Sequence, residues 1–297
     1  MPELPEVETM CRGLDCAVGG RIIAAEFPRS RERPLAISPA PAPLGRRITG
    51  RTLAAVRRRG KRVVLELAGD DRSADSLWLA IEPRMTGLML VAQPPSPEHV
   101  RLVLELDHGR RDRPQRVLFW DRRGLGTITL YDRAGLDAAC GAKKLGPDGL
   151  EVTGIDLAAR LGRSRRAVKP ALLDQRAVAG IGNIYAAEIL FRVGIDPRSL
   201  CHRLPAEAWE RIASAARSVL AEAVRFEGSS IGDETYRTAD NRVGRFQHRH
   251  RVYGRVDQPC LTCGQSIVRI VQAQRATFFC PRCQTRPGSR RSGSRRP

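Results

Sequence analysis

Leu4, Val7, Cys11, Leu14 and Val18 recur at steps of three and four along the start of the chain. That period lays them on one face of a helix, which Gly19 and Gly20 would end. The period then changes. Apolar runs at 62–67 (RVVLEL), 76–81 (SLWLAI), 100–106 (VRLVLEL), 116–121 (RVLFWD) and 127–132 (TITLYD) read as strands, with turns such as 93–97 (QPPSP) between them. Residues 1–140 are therefore expected to form a β-sandwich carrying one N-terminal helix, with 38–45 (SPAPAPLG) as a loop. Residues 141–151 have the glycine and proline content of a linker. Helical periods return at 156–161, 167–174, 183–193 and 205–226, so 152–252 reads as a helical domain. A cysteine-rich module at 253–285 and a basic, low-complexity tail at 286–297, expected to be disordered, complete a chain of the α+β class.

Charge narrows the choice of partner. Lys and Arg number 51 against 32 Asp and Glu, a formal net charge of +19. The excess points to a polyanion, nucleic acid first; a ribosomal-type or simply basic protein is the alternative. No run approaches the ~18 apolar residues that span a bilayer, and the acidic start lacks a signal pattern. No membrane partner and a cytoplasmic location are expected, and a cytosol disfavours disulfides. The eight cysteines then divide by spacing. Cys11, Cys16, Cys140 and Cys201 are scattered and read as small buried apolar residues. Cys260, Cys263, Cys280 and Cys283 form C-x2-C-x16-C-x2-C, the spacing of one structural zinc ion closed by four thiolates. Redox pairs or two disulfides are the competing reading. Between the pairs a β-hairpin fits, with SIVRIV (266–271) as one strand and Arg269 and Arg275 aboard. Such a module serves nucleases, ribosomal proteins and transcription factors alike.

Two further stretches carry possible chemistry. GIGNIYAAEIL (180–190) places glycines and Asn183 before a helix, whose first N–H groups can bind a phosphate. Tyr185 occupies the third glycine position of a dinucleotide fingerprint and no strand precedes it, so that fold is not indicated. A tight helix–turn–helix connection with Asn183 and Lys169 available to a DNA backbone is one reading, an ordinary capped turn the other. The chain opens MPELPEVETM, with Glu3, Glu6 and Glu8 around the first helical turn. If Met1 is removed, Pro2 becomes a secondary amine. An α-amine has a pKa of about 7.7–8.0 against about 10.4 for lysine, so at neutral pH it is unprotonated roughly hundreds of times more often. Such an amine can form an iminium with a sugar carbon, and Glu3 beside it can move a proton. Glu6 lies one turn on and could position the same group. Three acids also suit the positive end of a helix dipole without any catalysis.

Read together, these segments resemble the formamidopyrimidine-DNA glycosylase family of bifunctional base-excision enzymes. The carriers are MPELPEVET (1–9), RRGKRVVLEL (58–67), 169–197, and the stretch from VYGR (252–255) to AQRATFFCPRC (273–283), in the family's order. PELPE favours this branch over a sister family for oxidised pyrimidines, which usually begins PEGPE. The resemblance implies a β-sandwich, a helix–two-turn–helix domain and a zinc finger, with damaged double-stranded DNA passing between domains and the damaged nucleotide flipped out. It implies removal of oxidised purines and cleavage at the abasic site by elimination, through a Schiff base on Pro2. Glu3 is then the proton donor, Lys61 the lysine near the lesion and its phosphate, and Asn183 and Arg275 grip phosphates. His99, Met85, Arg123, Leu125 and Lys169 complete the implied DNA contacts, and a monomer is expected. Glu82 stands where a phosphate-contacting histidine is common, and Leu125 where a phenylalanine wedge is common. The segment 229–247 matches a lesion-covering loop in position. An oxidised-pyrimidine glycosylase and a non-catalytic lesion-binding paralogue remain the alternatives.

Overall fold

The computed structural model describes residues 2–29, 33–69, 75–109, 112–113, 115–232 and 235–286; the basic tail lies outside this range from residue 287 on. Two compact units emerge, one comprising the chain up to Lys144 together with Ala223–Gln247, the other Leu145–Glu222 with the chain from His248 on.

In the first unit, helix α1 (Leu4–Leu14) carries its apolar stripe inward: Leu4, Val7, Met10 and Leu14 are fully buried. Nine strands follow: β1 (Arg21–Glu26), β2 (Ala36–Ser38), β3 (Thr52–Arg59), β4 (Arg62–Ala68), β5 (Leu77–Glu82), β6 (Gly87–Leu90), β7 (Val100–Asp107), β8 (Arg116–Asp121) and β9 (Thr127–Tyr131). Their order is β2-β9-β5-β4-β3-β1-β7-β8-β6, antiparallel except for β2 on β9. The β1–β3 junction is a single residue pair, Arg21 with Thr52, so the sheet turns a corner there. Its two halves share one core with α1, joining Val63, Leu65, Leu79 and Ile81 to Leu102, Leu104 and Phe119. This is the expected sandwich.

The 38–45 stretch is not all loop. Helix α2 (Pro41–Ile48) starts inside it, because prolines in a first turn forfeit no intrahelical hydrogen bond. A second short helix, α3 (Arg133–Cys140), is started by Asp132, whose carboxylate accepts from the Gly135 N–H at 2.7 Å. Cys11, Cys140 and Cys201 are buried as expected, but Cys16 is exposed.

In the second unit, α4 (Gly154–Leu161), α5 (Val168–Leu172) and α6 (Asn183–Arg192) precede the long α7 (Ala206–Arg225), whose residues from Ala223 on group with the first unit. Strands β10 (Val268–Gln272) and β11 (Arg275–Phe279) form the hairpin between the cysteine pairs. The helical domain expected over 152–252 differs from the observed grouping at 223–247. That segment belongs with the first unit because Tyr236 is buried in its core and the Ala239 carbonyl accepts from the Val91 N–H at 3.0 Å.

Candidate active site

The start of α1 is closed in. Pro2 is buried, and Glu3, 2 % exposed, is the N-cap of the helix. The three acids have separate surroundings. Glu8 pairs with Arg12 at 2.9 Å and Arg58 at 2.8 Å. Glu6 is buried and bridges two backbones, accepting from the Glu3 N–H and the Ser229 N–H, each at 2.8 Å. A carboxylate with two backbone donors fixes the helix entry to the 228–230 segment. Gly228 is required beside it: φ is +74°, and a Cβ there would stand 2.8 Å from Glu6 Oε1. Burial first, then Glu6, pushes the Tyr236 phenol well up, so it stays neutral at physiological pH. Nothing in the first ten residues betrays the Ser229 partner, which lies 223 positions away.

Helix α1 packs on β3, β4 and β6. The β3–β4 hairpin turns through Gly60 and Lys61, with φ +58° at Gly60, the two-residue geometry that wants glycine first. Lys61 thus sits at a rigid tip. Next to it, Arg62 reaches Glu82 at the end of β5 (3.0 Å), and Glu82 also holds Arg84 (3.0 Å). The Lys61 turn and the Met85 loop are therefore tied together by charge. Glu82, which stands where a phosphate-contacting histidine is common, is committed to two arginines.

Met85 is 39 % exposed, Arg123 is exposed and Leu125 half-buried. One buried carboxylate holds their loops. Asp121 accepts from the Thr86 hydroxyl at 2.5 Å, the Arg123 N–H at 3.2 Å and the Gly126 N–H at 2.8 Å. Sequence reasoning missed Asp121, although an aspartate opening an Arg- and Gly-containing turn is the signal for such backbone bonding. His99 is half-buried, edge-on to Trp120 with ring centroids 5.5 Å apart.

In the second unit, Lys169 departs from expectation. It is 1 % exposed, and its ammonium donates to Asn183 Oδ1 (2.5 Å), the Ala276 carbonyl (3.0 Å) and the Thr277 hydroxyl (2.8 Å). Asn183 Nδ2 donates to the same Ala276 carbonyl at 3.0 Å. Both residues expected at a DNA backbone thus hold β11 beside Arg275, which is exposed. The turn before Arg275 places Ala273 and Gln274 at φ +46° and +60°, the tight two-residue hairpin in residues that resist it. Lys169 occupies its place because Ala276 and Thr277 give its charge three acceptors together with Asn183, which neither its charge nor its spacing announces.

Cys260, Cys263, Cys280 and Cys283 bring their sulfurs within 4.8 Å of one another, with contacts of 3.9 Å (Cys260–Cys283) and 3.5 Å (Cys263–Cys280). A tetrahedron of ~2.3 Å zinc–sulfur bonds has edges of roughly 3.8 Å, so the donor set fits one zinc ion. Burial opposes ionisation of Cys260, but hydrogen bonds from the N–H groups of Thr262 and Cys263 and from the Cys280 and Cys263 thiols together hold it below the ordinary thiol range. Buried Glu188 of α6 accepts from the N–H groups of Arg251, Val252 and Tyr253, fixing the entry to the cysteine module; burial pushes its carboxyl up against the pull of those donors.

Comparison with known proteins covers nearly the whole chain. Residues 1–128 match the formamidopyrimidine-DNA glycosylase N-terminal domain, 145–235 the H2TH domain of the same glycosylase, and 257–286 the zinc finger found in FPG and IleRS. The formamidopyrimidine-DNA glycosylase of Cereibacter sphaeroides is 40 % identical over 298 residues, covering 96 % of this chain and 100 % of the relative. That of Chloroflexus aurantiacus is 41 % identical over 290 residues, covering 96 % and 98 %. The crystal structure of the MutM (FPG) protein from Thermus thermophilus aligns with a TM-score of 0.80 at 36 % identity, over 95 % of this chain and 98 % of that one. The Lactococcus lactis Fpg in complex with abasic-site DNA aligns with a TM-score of 0.81 at 30 % identity, over 95 % and 99 %. With Pro2 and Glu3 at a helix entry, the Met85 and Arg123 loops held by one carboxylate and the four-cysteine hairpin all inside the matched regions, the chain belongs to the formamidopyrimidine-DNA glycosylase family.

Proposed function

We propose that the protein is a base-excision repair DNA glycosylase with abasic-site lyase activity, acting on oxidised purines in double-stranded DNA. The observation that carries this is the buried entry of α1, where Pro2 is buried beside Glu3 and the Glu6 bridge holds the Glu3 and Ser229 backbones. With Met1 removed, the Pro2 nitrogen attacks C1′ of the flipped nucleotide. The bond from C1′ to the damaged base breaks and the base leaves with a proton. Glu3 protonates the sugar ring oxygen as the ring opens, leaving an iminium between Pro2 and C1′. Loss of a C2′ proton then expels the 3′ phosphate, and a second elimination expels the 5′ phosphate. Lys61, on its rigid hairpin tip, lies at the lesion phosphate. Arg275 grips the backbone from the strand that Asn183 and Lys169 hold, and His99 borders it. Four thiolates hold one structural zinc ion that keeps the Arg275 hairpin folded. The enzyme works as a monomer in the bacterial cytoplasm; among the described residues no helix is long and apolar enough to cross a membrane.

Duplexes carrying a ring-opened purine, 8-oxoguanine or an oxidised pyrimidine test the reading. Purine lesions should be excised fastest, with strand cleavage following base loss. Faster release of the oxidised pyrimidine would move the protein to the sister activity, and binding without release would make it a lesion-binding protein. Support for the purine assignment includes the Lactococcus lactis FPG variant crystallised with Fapy-dG DNA, to which this chain is 30 % identical.

Opposite-base choice rests on Arg123, whose donors match the acceptor edge of cytosine and not that of adenine. Lesions opposite cytosine should be cut faster than lesions opposite adenine in single-turnover assays, and Arg123→Ala should erase most of the difference. Equal rates in the unmodified enzyme would remove Arg123 from this role. Met85 and Leu125 wedge into the vacated stack. Base–aromatic stacking is worth about 1–3 kcal/mol, so Leu125→Phe should raise affinity for lesion duplex.

Lys169 acts from inside. Lys169→Met leaves the Thr277 hydroxyl and Asn183 Oδ1 without their ammonium donor, and an unsatisfied buried group costs about 1–3 kcal/mol. Thermal stability and DNA affinity should both fall while the slope of log affinity against log salt stays unchanged. A flatter slope would mean that Lys169 itself neutralises a phosphate.

A further inference from the structure

Arg84 stands in a conformation that arginine resists. Its φ is +53°, in the left-handed region, with Pro83 before it and Met85 after it. No glycine relieves the strain, and side chains in such regions persist where the surroundings over-determine them, often at ligand-binding positions. The surroundings here are charges. Glu82 Oε1 takes the Arg84 Nε at 3.0 Å, while Glu82 Oε2 takes Arg62 Nε at 3.1 Å and Arg62 Nη2 at 3.0 Å. Cross-strand register explains the second contact: Val63 pairs with Ile81, so Arg62 and Glu82 fall opposite each other where the strands end. The loop is further fixed by the Gly87 N–H bonding the Pro83 carbonyl at 2.9 Å, and a Cβ at Gly87 would come within 2.6 Å of Pro83.

The ion pair uses the Nε edge of Arg84. The side chain stays 53 % exposed, on the same loop as the exposed Met85. A guanidinium held by one edge and open at its forked end suits bidentate binding of a phosphate. Glu82 sets its direction and offsets repulsion between Arg62 and Arg84. We propose that Arg84 is a DNA-phosphate-binding residue, aimed by Glu82 from beside the Met85 wedge. The inference rests on the glycosylase reading above, since it takes the polyanion to be DNA. A phosphate contact carries no sequence or opposite-base information, so Arg84 supplies affinity alone.

The backbone strain makes the test decisive. Arg84→Gly removes the side chain and relieves the φ strain together, so the variant should melt no lower than the unmodified protein. It should nevertheless bind a duplex containing a tetrahydrofuran abasic analogue more weakly. The slope of log affinity against log salt should flatten by about 0.9, one phosphate contact, in Arg84→Gly and Arg84→Ala alike, and Arg84→Lys should restore most of it. The ratio of affinities opposite cytosine and adenine should not change in any of them. An Arg84→Gly protein with unchanged slope and affinity would overturn the proposal, as would a changed opposite-base ratio. If the unmodified enzyme cuts lesion duplex normally in the same experiment, that failure is confined to Arg84; an unmodified enzyme that neither binds nor cuts overturns the glycosylase reading and this inference with it.

Discussion

Borohydride added to the protein and a duplex with an abasic site should trap a covalent adduct, and peptide mapping should place it on Pro2. The competitor for the role is Lys61, a primary amine at a hairpin tip in the same unit. Two physical facts favour Pro2. Its free amine would have a pKa of about 7.7–8.0, so near neutrality a large fraction is ready to attack, against roughly one part in a thousand or fewer for an ordinary lysine. A secondary amine also forms an iminium without losing another proton. The experiment must begin with intact mass, because a chain that keeps Met1 has an amide at Pro2 and no nucleophile there. Such a chain should show neither base release through an imine nor a trapped adduct. Glu3→Gln separates the steps. Removing a positioned proton donor should lower the glycosylase rate by about 10²–10⁴-fold, while an adduct with a preformed abasic site still forms on Pro2. An adduct on Lys61, with Pro2 recovered unmodified, would end this assignment.

What was legible in the sequence was whatever burial writes as a period. The α1 stripe and strands β4, β5, β7 and β8 are buried along most of their length, and β9 buries alternate residues, so apolar residues mark them. Strand β3 (TLAAVRRR) was missed because it shows arginines to solvent and owes its conformation to pairing with β4. Helix α2 was missed because its prolines read as loop. The site divides in the same way. Pro2, Glu3 and the four cysteines carry local signals: a position, a neighbour, a spacing. Asp121 and Glu6 act through backbone partners brought in by the fold, and no local pattern names Ser229 as the partner of Glu6. Lys169 looked like a surface cation because a lysine is seldom buried, and only the acceptors of β11 explain why this one is.

Elemental analysis of protein purified without chelator should find one zinc per chain, and Cys280→Ser should abolish it. The reason the loss should be large is the size of the module's own core. Cys260, Cys280, Val252, Ile267 and Ala187 form a small buried cluster, with Phe191, Tyr253, Cys263, Phe278 and Cys283 packed against it. Two of its five buried members are the proposed ligands themselves. An apolar cluster of that size cannot hold a hairpin alone, whereas structural zinc contributes about 10–16 kcal/mol of folding free energy in isolated finger peptides. The rest of the second unit has its own helices, so the unfolding should stay local. Strands β10 and β11 separate, Ala276 and Thr277 leave Lys169 and Asn183, and Arg275 loses its fixed place. DNA affinity should therefore fall steeply in Cys280→Ser, and in the unmodified enzyme after chelation. The chemistry at Pro2 belongs to the first unit. At saturating abasic duplex and low salt, borohydride should still trap the variant on Pro2 at a rate close to that of the unmodified enzyme. Zinc restored to the chelated enzyme should recover binding. Tight lesion binding by metal-free protein, or no zinc in the native protein, would show that the cysteine module folds without the ion and that Arg275 is held by Lys169 and Asn183 alone.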